Sequence, residues 1–407
     1  MIKSYQHKIL LGSAILIFSL NQFISGQPEK IEIKDSTKVD QKDIVDIVHL
    51  ILDKQVRKEN LKIKGSGPYF SILPAVGYAM HTGITAALVT STSFYTAENK
   101  DKLSNVLASG FYSQYHQYWF NVNSNIFFEK HKLHLFGDTR YYNFPTETFG
   151  LGSKSSLSNP LSIDYSYLRV YQIVYREIAS NLFVGIGYNL DYHWNIKVDS
   201  LKGRDLNQFI KFQKGFQSSS SGLSLNILYD SRRNAVNSEN GTYASLQYRP
   251  NMTILGSDQN WQSLLIDVRH YIKLPASSRN VLCFWSYNDF TLSGTPPYLD
   301  MPSIGWDDYS NTGRGYAPGR YTGRNLVYLE SEYRFSLTKN GLLGGVIFVN
   351  AESISKNILN KIPSPIPGGG FGLRIKINKY SNTNLAIDYG FGTGGSHGLF
   401  FNLGEIF

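Results

Sequence analysis

The chain has 407 residues, of which 40 are Lys or Arg and 31 are Asp or Glu, so its formal charge is +9. Tyr (28) and Phe (24) are abundant, and the single Cys283 excludes an intramolecular disulfide. The longest apolar run, Ile9 to Leu20, is shorter than the roughly 18 residues of a membrane-spanning helix. These features exclude a helical membrane protein and a disulfide-stapled domain.

Residues 1–26 have the pattern of a secretory signal peptide. Lys3 and Lys8 precede the apolar run, and small residues follow it up to Gly26. No Cys lies near the expected cleavage site, so we expect no lipid anchor. Export makes nucleic acid an improbable partner for the positive charge, which we instead expect near lipid phosphates or in a polar interior.

Residues 27–65 differ from the rest because they are charged and poor in aromatic residues. They predict a periplasmic linker with a short amphipathic helix, capped by Asp40 and with Asp43 in its first turn. The apolar stripe of this helix is expected to pack on the rim of the following domain or to dock a partner. The stripe consists of Ile44, Ile47, Val48 and Ile51.

Residues 66–407 form one predicted domain, and from about Phe70 onward they show no helical period. Strand-like segments alternate with turn clusters at 70–80, 83–95, 104–114, 117–129, 131–142, 162–178, 181–198, 222–232, 241–254, 261–275, 280–294, 324–337, 341–354, 369–379, 383–392 and 398–407. Most approach the roughly 9–11 residues with which a tilted strand crosses a bilayer. We therefore predict an all-β fold, a single transmembrane antiparallel β-barrel of about 16 strands.

The segment 324–337 shows most clearly that its two faces meet different environments. Val327, Leu329, Tyr333, Phe335 and Leu337 share one face, and Tyr328, Glu330, Glu332 and Arg334 share the other. Alternate residues of a strand point to opposite sides, so one side is apolar and the other is charged. A lipid-facing outside and a wet lumen suit both faces, whereas a soluble sandwich would repeat shorter strands.

The charged residues predicted to face the lumen carry both signs. We expect them to form a neutralising ladder that stiffens a plugged barrel, although they would also suit an ion pathway. They are Asp267, Arg269, Glu330, Glu332, Arg334, Arg374, Lys376 and Asp388.

Connections between the segments alternate in length. The turns at 80–83, 129–131 and 180–181 are tight, whereas 143–161, 199–221 and 293–323 are long. Short turns on one side and long loops on the other are typical of an outer-membrane barrel with its long loops outside. The N-terminus is then periplasmic.

The last predicted strand ends the chain on an aromatic residue. Leu399, Phe401, Leu403 and Phe407 fall on one apolar face, which is typical of a terminal strand that serves as an assembly signal. The same alternation places Glu405 on the apolar side near the periplasmic rim, where charge costs little.

No catalytic or metal-binding pattern emerges from the sequence. Ser396 and His397 are adjacent, but no third group orients the His as in a nucleophile–base pair. His131 and His134 lie three apart, on opposite faces of a strand. The glycines at 368–370 precede a strand and not a helix. We therefore expect no enzyme activity, no cofactor and no bound metal.

Several motifs, in order, resemble the bacterial surface antigen family, the barrel of the BamA/TamA outer-membrane assembly superfamily. The resemblance covers about residues 66–407. The motifs are Leu73-Pro-Ala-Val-Gly-Tyr78, Tyr229-Asp-Ser-Arg232 with Gly241-Thr-Tyr243, Gly313-Arg-Gly-Tyr316, Glu332-Tyr-Arg-Phe335, Asp388-Tyr-Gly-Phe-Gly392 and the terminal Phe407.

The resemblance implies a long loop that folds back into the lumen, where Arg314, Gly315 and Tyr316 are tethered to acidic residues of the wall. The wall motif of the family reads Phe-x-Asp, whereas this chain has Phe348-Val349-Asn350. A neutral amide would bind Arg314 less strongly than a carboxylate. The candidate lumenal partners are Asn350, Glu352, Glu332 and Asp388.

The resemblance also implies a role in outer-membrane biogenesis. Members of the family insert proteins into the outer membrane or export them, and their first and last strands meet at a weak seam, here 70–80 and 398–407. Expected partners are outer-membrane lipids, client outer-membrane proteins and an assembly complex. About forty residues precede the barrel, too few for the family's periplasmic POTRA domains. A passive pore and a structural scaffold remain the alternatives.

Overall fold

The computed structural model describes residues 41–44, 46–47, 69–79, 83–96, 104–128, 132–143, 145–155, 160–198, 204–213, 215–307, 311–356, 363–379 and 382–407. Within these ranges all of the predicted strands are present, which confirms the all-β fold class. The predicted signal peptide and most of the linker lie outside the described residues.

The described residues form seventeen strands in one sheet. They are β1 (Tyr69–Ala79), β2 (Gly83–Phe94), β3 (Ser104–Ser113), β4 (Tyr118–Phe128), β5 (Leu133–Asn143), β6 (Thr146–Thr148), β7 (Leu161–Ala179), β8 (Leu182–Val198), β9 (Ser218–Asp230), β10 (Gly241–Asn251), β11 (Trp261–Lys273), β12 (Val281–Gly294), β13 (Asn325–Ser336), β14 (Leu343–Ser355), β15 (Ile366–Asn378), β16 (Thr383–Gly392) and β17 (His397–Leu403). The sequence did not predict β6, a three-residue strand within a loop. The other sixteen correspond to the predicted segments.

Each long strand pairs antiparallel with the next one along the chain. The ladder runs without a crossover from β1 to β5, continues from β5 directly to β7, and then proceeds to β17. In the described residues no ladder joins β1 to β17. The sheet therefore has two edges, at its first and last strands.

The outer face of the sheet is apolar and the inner face is polar, as the alternation predicted. Outward side chains such as Ile186, Leu225 and Val349 are 68%, 57% and 65% exposed. On β13, Leu329 points outward, whereas Glu330 and Glu332 are buried. Lipid on one side and a polar interior on the other satisfy both faces.

The two ends of the sheet differ in their connections. One end, here the turn end, carries short links such as Ser180–Asn181 between β7 and β8. The other, the loop end, carries the long links 199–217 and 295–324. Apart from the three-residue β6, strand length varies around the sheet from 19 residues in β7 to 7 in β17.

A helix in the loop end was not predicted. Helix α1 (Arg204–Phe212) lies between β8 and β9, where the sequence suggested no helical period. Phe209 is buried and packs on Tyr298 with ring centroids 4.9 Å apart. Leu206, Phe209 and Phe212 recur at a spacing of three and pack into the same cluster as Tyr298. The short helix is therefore amphipathic, and the sequence prediction missed this spacing. No helix in the described part of the chain is long and apolar enough to cross a membrane.

The described part of the linker lies on the turn end. Ile44, Asp46 and Ile47 are helical, and Asp43 is the N-cap, because Asp43 and Asp46 accept hydrogen bonds from each other's backbone N–H at 3.0 Å. The prediction that placed Asp43 within the first turn, behind an Asp40 cap, was therefore wrong. Lys379, in the turn after β15, donates to Asp46 at 2.8 Å. Asp43 and Asp46 therefore contact the rim, whereas Ile44 of the apolar stripe is 36% exposed.

The chain end departs from the prediction of a strand through Phe407. Strand β17 ends at Leu403, and Gly404 has a φ of 99°, which turns the last residues away from the outer face. Glu405, Ile406 and Phe407 are buried inside the sheet, where the Phe407 ring stacks on Trp285 at 5.1 Å. Leu399 stays outward, at 38% exposed, and the side chain of Leu403 is outside the described ones. Phe407 and Glu405 therefore do not share its apolar face.

Candidate functional site

The described residues of the long connection between β12 and β13, 295–307 and 311–324, fold into the interior and are called the inner loop below. Asp307 organises its tip, because its carboxylate accepts hydrogen bonds from the backbone N–H and the hydroxyl of Thr312, at 2.8 and 2.6 Å. Asn311 donates to the carbonyl of Ile406 at 2.6 Å. The inner loop and the inward chain end therefore meet within the barrel.

Arg314, at the tip of the inner loop, is 1% exposed and binds three carboxylates. Its Nη1 donates to Asp388 on β16 at 2.6 Å, and its Nη2 donates to Glu332 at 2.5 Å and to Glu330, both on β13. The guanidinium also lies 3.7 Å from the ring centroid of Phe348. This is a charge-assisted, cation–π-supported clamp that holds the loop against the wall.

The clamp continues into a ladder of alternating charge. Arg334 donates to Glu332 at 2.5 Å, and Arg374 binds Asp388 at 2.5 Å and Glu405 at 2.7 Å. Asp267 and Arg269 form a separate pair at 2.6 Å. The predicted lumenal charges are thus largely paired with one another, as a neutralising ladder requires.

Burial alone would lower the pKa of the Arg314 guanidinium, but Glu330, Glu332 and Asp388 together raise it well above its usual range. The arginine is therefore charged at every physiological pH. Removing one partner from such a buried cluster typically costs about 3–5 kcal/mol, because the remaining charge is left uncompensated.

Asn350 supports the clamp in a different way from the carboxylate of the Phe-x-Asp motif. Its Nδ2 donates to the backbone carbonyl of Arg314 at 2.9 Å and lies 3.4 Å from Glu330 Oε2. Both partners are acceptors, so the position needs a donor that a carboxylate cannot supply. Of the four candidate partners, Glu332 and Asp388 bind the guanidinium, Asn350 binds the backbone, and Glu352 makes no hydrogen bond to Arg314.

The loop tip fits closely because the wall beneath it lacks side chains. Glycines line the inner face of β15 and β16 there, and an added Cβ at Gly390 would lie 2.5 Å from the backbone N of Gly315. One at Gly392 would lie 2.3 Å from the ring of Tyr316. The glycines that form this surface are Gly368, Gly370, Gly372, Gly390 and Gly392. We call this surface the glycine groove.

Tyr316 and Tyr321 of the inner loop are both buried. Tyr316 donates to the carbonyl of Pro367 at 2.5 Å, and its ring packs edge-on against Tyr321 at 5.3 Å. Ser396 donates to the carbonyl of Gly315 at 2.8 Å, so it serves the loop. The adjacent His397 instead contacts the Tyr389 hydroxyl through Nδ1 at 3.0 Å. Neither arrangement is a nucleophile–base pair.

Sequence reasoning missed three residues of this site. Glu330 was predicted to face the lumen but not to bind Arg314, and neither Phe348 nor Ser396 was predicted to contact the loop. Alternation gives Phe348 the same face as Asn350, and that signal was available. In the described ranges no group of three or more His, Cys, Asp or Glu residues is placed to hold a metal ion.

A second polar cluster fixes the base of the inner loop near the loop end. Arg249 donates to Asp191 and to the Tyr171 hydroxyl, at 2.6 and 2.8 Å. Asp300, from the inner loop, accepts a hydrogen bond from Ser220 at 2.6 Å. Burial, followed by the nearby Asp191, raises the pKa of Asp300 to about 8.

Comparison with known proteins identifies the class of fold. No family model and no curated sequence matches the chain. Among solved structures, BamA from Haemophilus ducreyi lacking POTRA domains 1–3 is similar, with a TM-score of 0.54 and 15% identity over 81% of this chain and 68% of that one.

Two CdiB structures are similar as well. CdiB from Acinetobacter baumannii has a TM-score of 0.50 and 14% identity, covering 82% of this chain and 57% of that one. CdiB from Escherichia coli has a TM-score of 0.54 and 10% identity, covering 81% of this chain and 59% of that one. The chain thus spans less than two thirds of either CdiB. At these identities the likeness shows the fold alone, a BamA- and CdiB-like barrel.

Proposed function

We propose that this protein is an outer-membrane barrel that assists outer-membrane biogenesis, inserting proteins or lipids alone or within a complex. The observation that carries the proposal is the edge between β1 and β17, which no ladder closes in the described residues. Unpaired strand edges are templates for pairing with another chain. An incoming client strand, or lipid displaced beside it, would use this seam.

The proposed mechanism assigns the inner loop a supporting role. The Arg314 clamp and the chain end fill the interior, so the seam between β1 and β17 is the place where the wall can open while the rest stays rigid. With the N-terminus in the periplasm, the turn end of the barrel lies in the periplasm and the loop end lies outside the cell. The occupied interior argues against a passive pore, and no enzyme activity is proposed.

A reversible disulfide across the seam tests the proposal. Cysteines at Ile72 on β1 and at Leu399 or Phe401 on β17, in a Cys283→Ser background, would lock the two edges together. The variant replaces the native copy in cells, and outer-membrane protein content and envelope permeability are measured with and without reductant.

The matched control is a cysteine pair at Tyr389 and Leu399, which face each other in the existing β16–β17 ladder. We expect the seam lock to reduce client assembly until reductant is added, and the control pair to behave as wild type. Wild-type content and permeability with the seam fully locked would contradict the proposal.

A further inference from the structure

Among the described residues, Glu352 on β14 is the one fully buried carboxylate near the clamp that contributes nothing to it. It is 0% exposed, and neither of its oxygens has a hydrogen-bond partner among the described residues. Its strand neighbours on the inner face are Tyr328 and Ile366. An unpaired buried carboxylate costs free energy, so it calls for a proton or a cationic partner.

The position of Glu352 relates it directly to the clamp. Glu330 faces Asn350 across the β13–β14 ladder, and Tyr328 faces Glu352 in the next inward-facing pair toward the loop end. Two residues along a strand correspond to about 7 Å. Glu332, Glu330 and Glu352 thus lie at three successive inward-facing levels of the β13–β14 ladder, and Glu352 is nearest the loop end.

The other carboxylates do not depend on Arg314 to the same degree. Glu332 keeps Arg334 at 2.5 Å and Arg374 at 3.7 Å, and Asp388 keeps Arg374 at 2.5 Å. Glu330, in contrast, has Arg314 as its only guanidinium partner in the described structure. Arg314 could therefore move toward the loop end while it stays bound to Glu330. Glu332 and Asp388 would remain paired with Arg334 and Arg374, and Glu352 would gain a cationic partner.

The glycine groove offers a path for that movement. Gly315 now lies against Gly390, and the groove continues one step toward the loop end through Gly392 and Gly368. β15 and β16 project no side chain at these two glycines, which leaves room for the loop backbone. The ring of Tyr316 now lies against Gly392, and Asn350 Oδ1 would lie 2.4 Å from a Cβ at Gly368. The movement therefore carries the Tyr316 ring one step further and requires Asn350 to change its contacts.

We propose that Glu352 is a second guanidinium-binding site for Arg314, so that the inner loop has two docked positions about 7 Å apart. In the position seen here Arg314 binds Asp388, Glu332 and Glu330. In the other it binds Glu330 and Glu352. This inference rests on the clamp and not on the activity proposed above, and its test measures a distance.

The test uses paired spin labels on the full chain in lipid vesicles. One label replaces Ala317 on the inner loop and the other replaces Lys339 at the turn end, in a Cys283→Ser background. Asp388→Asn weakens the observed position, so we expect a second population with the labels about 7 Å farther apart. Adding Glu352→Gln to Asp388→Asn should remove that population, and Glu352→Gln alone should keep the original distance.

Asp267→Asn is the matched control, because Asp267 pairs with Arg269 inside the barrel and is not bound to Arg314. It should leave the distance unchanged. Heat-modifiable electrophoretic mobility checks that each barrel is folded, and Glu332→Gln replaces Asp388→Asn if that variant does not fold. An unchanged distance in the weakened variant, or a shift that persists with Glu352→Gln, would overturn the proposal in favour of a simply protonated Glu352.

Discussion

Asn350 shows how one atom decides whether the clamp is stable. Its Nδ2 faces two acceptors, the Arg314 carbonyl at 2.9 Å and Glu330 Oε2 at 3.4 Å. Asn350→Asp would replace this donor with a further acceptor and add a like charge beside Glu330. We expect the free energy of unfolding to fall by about 1–3 kcal/mol, measured by urea unfolding in lipid with electrophoretic mobility as the readout.

A double variant controls for simple loss of packing. If the repulsion is the cause, Glu330→Gln should cost less in the Asn350→Asp background than in the wild type, which a double-mutant cycle detects. An Asn350→Asp barrel more stable than wild type would mean that the carboxylate finds Arg314 directly and that the donor role is wrong.

Asp300 gives the base of the inner loop a dependence on pH. Its pKa is raised to about 8, whereas an unfolded chain has a value near 4. The folded state therefore holds the extra proton between about pH 4 and pH 8, and stability from this group falls as pH rises through that window. As pH rises through this window, the free energy of unfolding should decline less steeply in Asp300→Asn than in the wild type. Identical slopes would show that Asp300 ionises normally in the folded protein.

At the scale of elements, the glycine groove on β16 makes a prediction with an internal control. Gly390→Ala would place a Cβ 2.5 Å from the backbone of Gly315, whereas at Gly398 on β17 the nearest side-chain atom is 3.7 Å away. Trypsin cleavage after Arg314 in the folded barrel should therefore rise in Gly390→Ala and stay at the wild-type level in Gly398→Ala. Equal cleavage in both would mean that the groove does not hold the loop.

The chain end is a second element whose role can be separated from assembly. Phe407 is 2% exposed and stacks on Trp285. Phe407→Ala should lower the stability of barrels already refolded in lipid by about 3–5 kcal/mol. Leu399→Ala, on the outer face of β17, serves as the control and should cost less. If Phe407 acts only as an assembly signal, its variant will unfold like the wild type.

The strands were predictable from the sequence because each carries its own signal. A two-residue period assigns every side chain to a face, and it placed Glu330, Glu332 and Asp388 inside. It gives no distance across the barrel, so it could not show which of them Arg314 would meet. Likewise, alternation continued the last strand through Phe407, whereas the φ of 99° at Gly404 turns the chain inward. Helix α1 carries a short amphipathic spacing that the prediction missed, and only its contact with Tyr298 is absent from any local pattern.

For the whole molecule, the described structure predicts a barrel with a filled interior. The inner loop enters from the loop end, the chain end enters from the turn end, and Asn311 joins them at 2.6 Å. The wild type in planar bilayers should therefore show low conductance with rare openings. Arg314→Ala removes the cation that holds the clamp, which should destabilise the docked loop by about 3–5 kcal/mol. The fraction of time that the barrel is open should then rise by about tenfold or more.

Leu329→Ala is the control for this measurement, since Leu329 lies on the outer face of β13, next to Glu330 in the chain, and is 52% exposed. Its conductance should match that of the wild type. A large, stable open state that Arg314→Ala does not change would mean that the loop does not gate the interior. That result would favour the passive pore, because a barrel that is already open needs no seam to pass material.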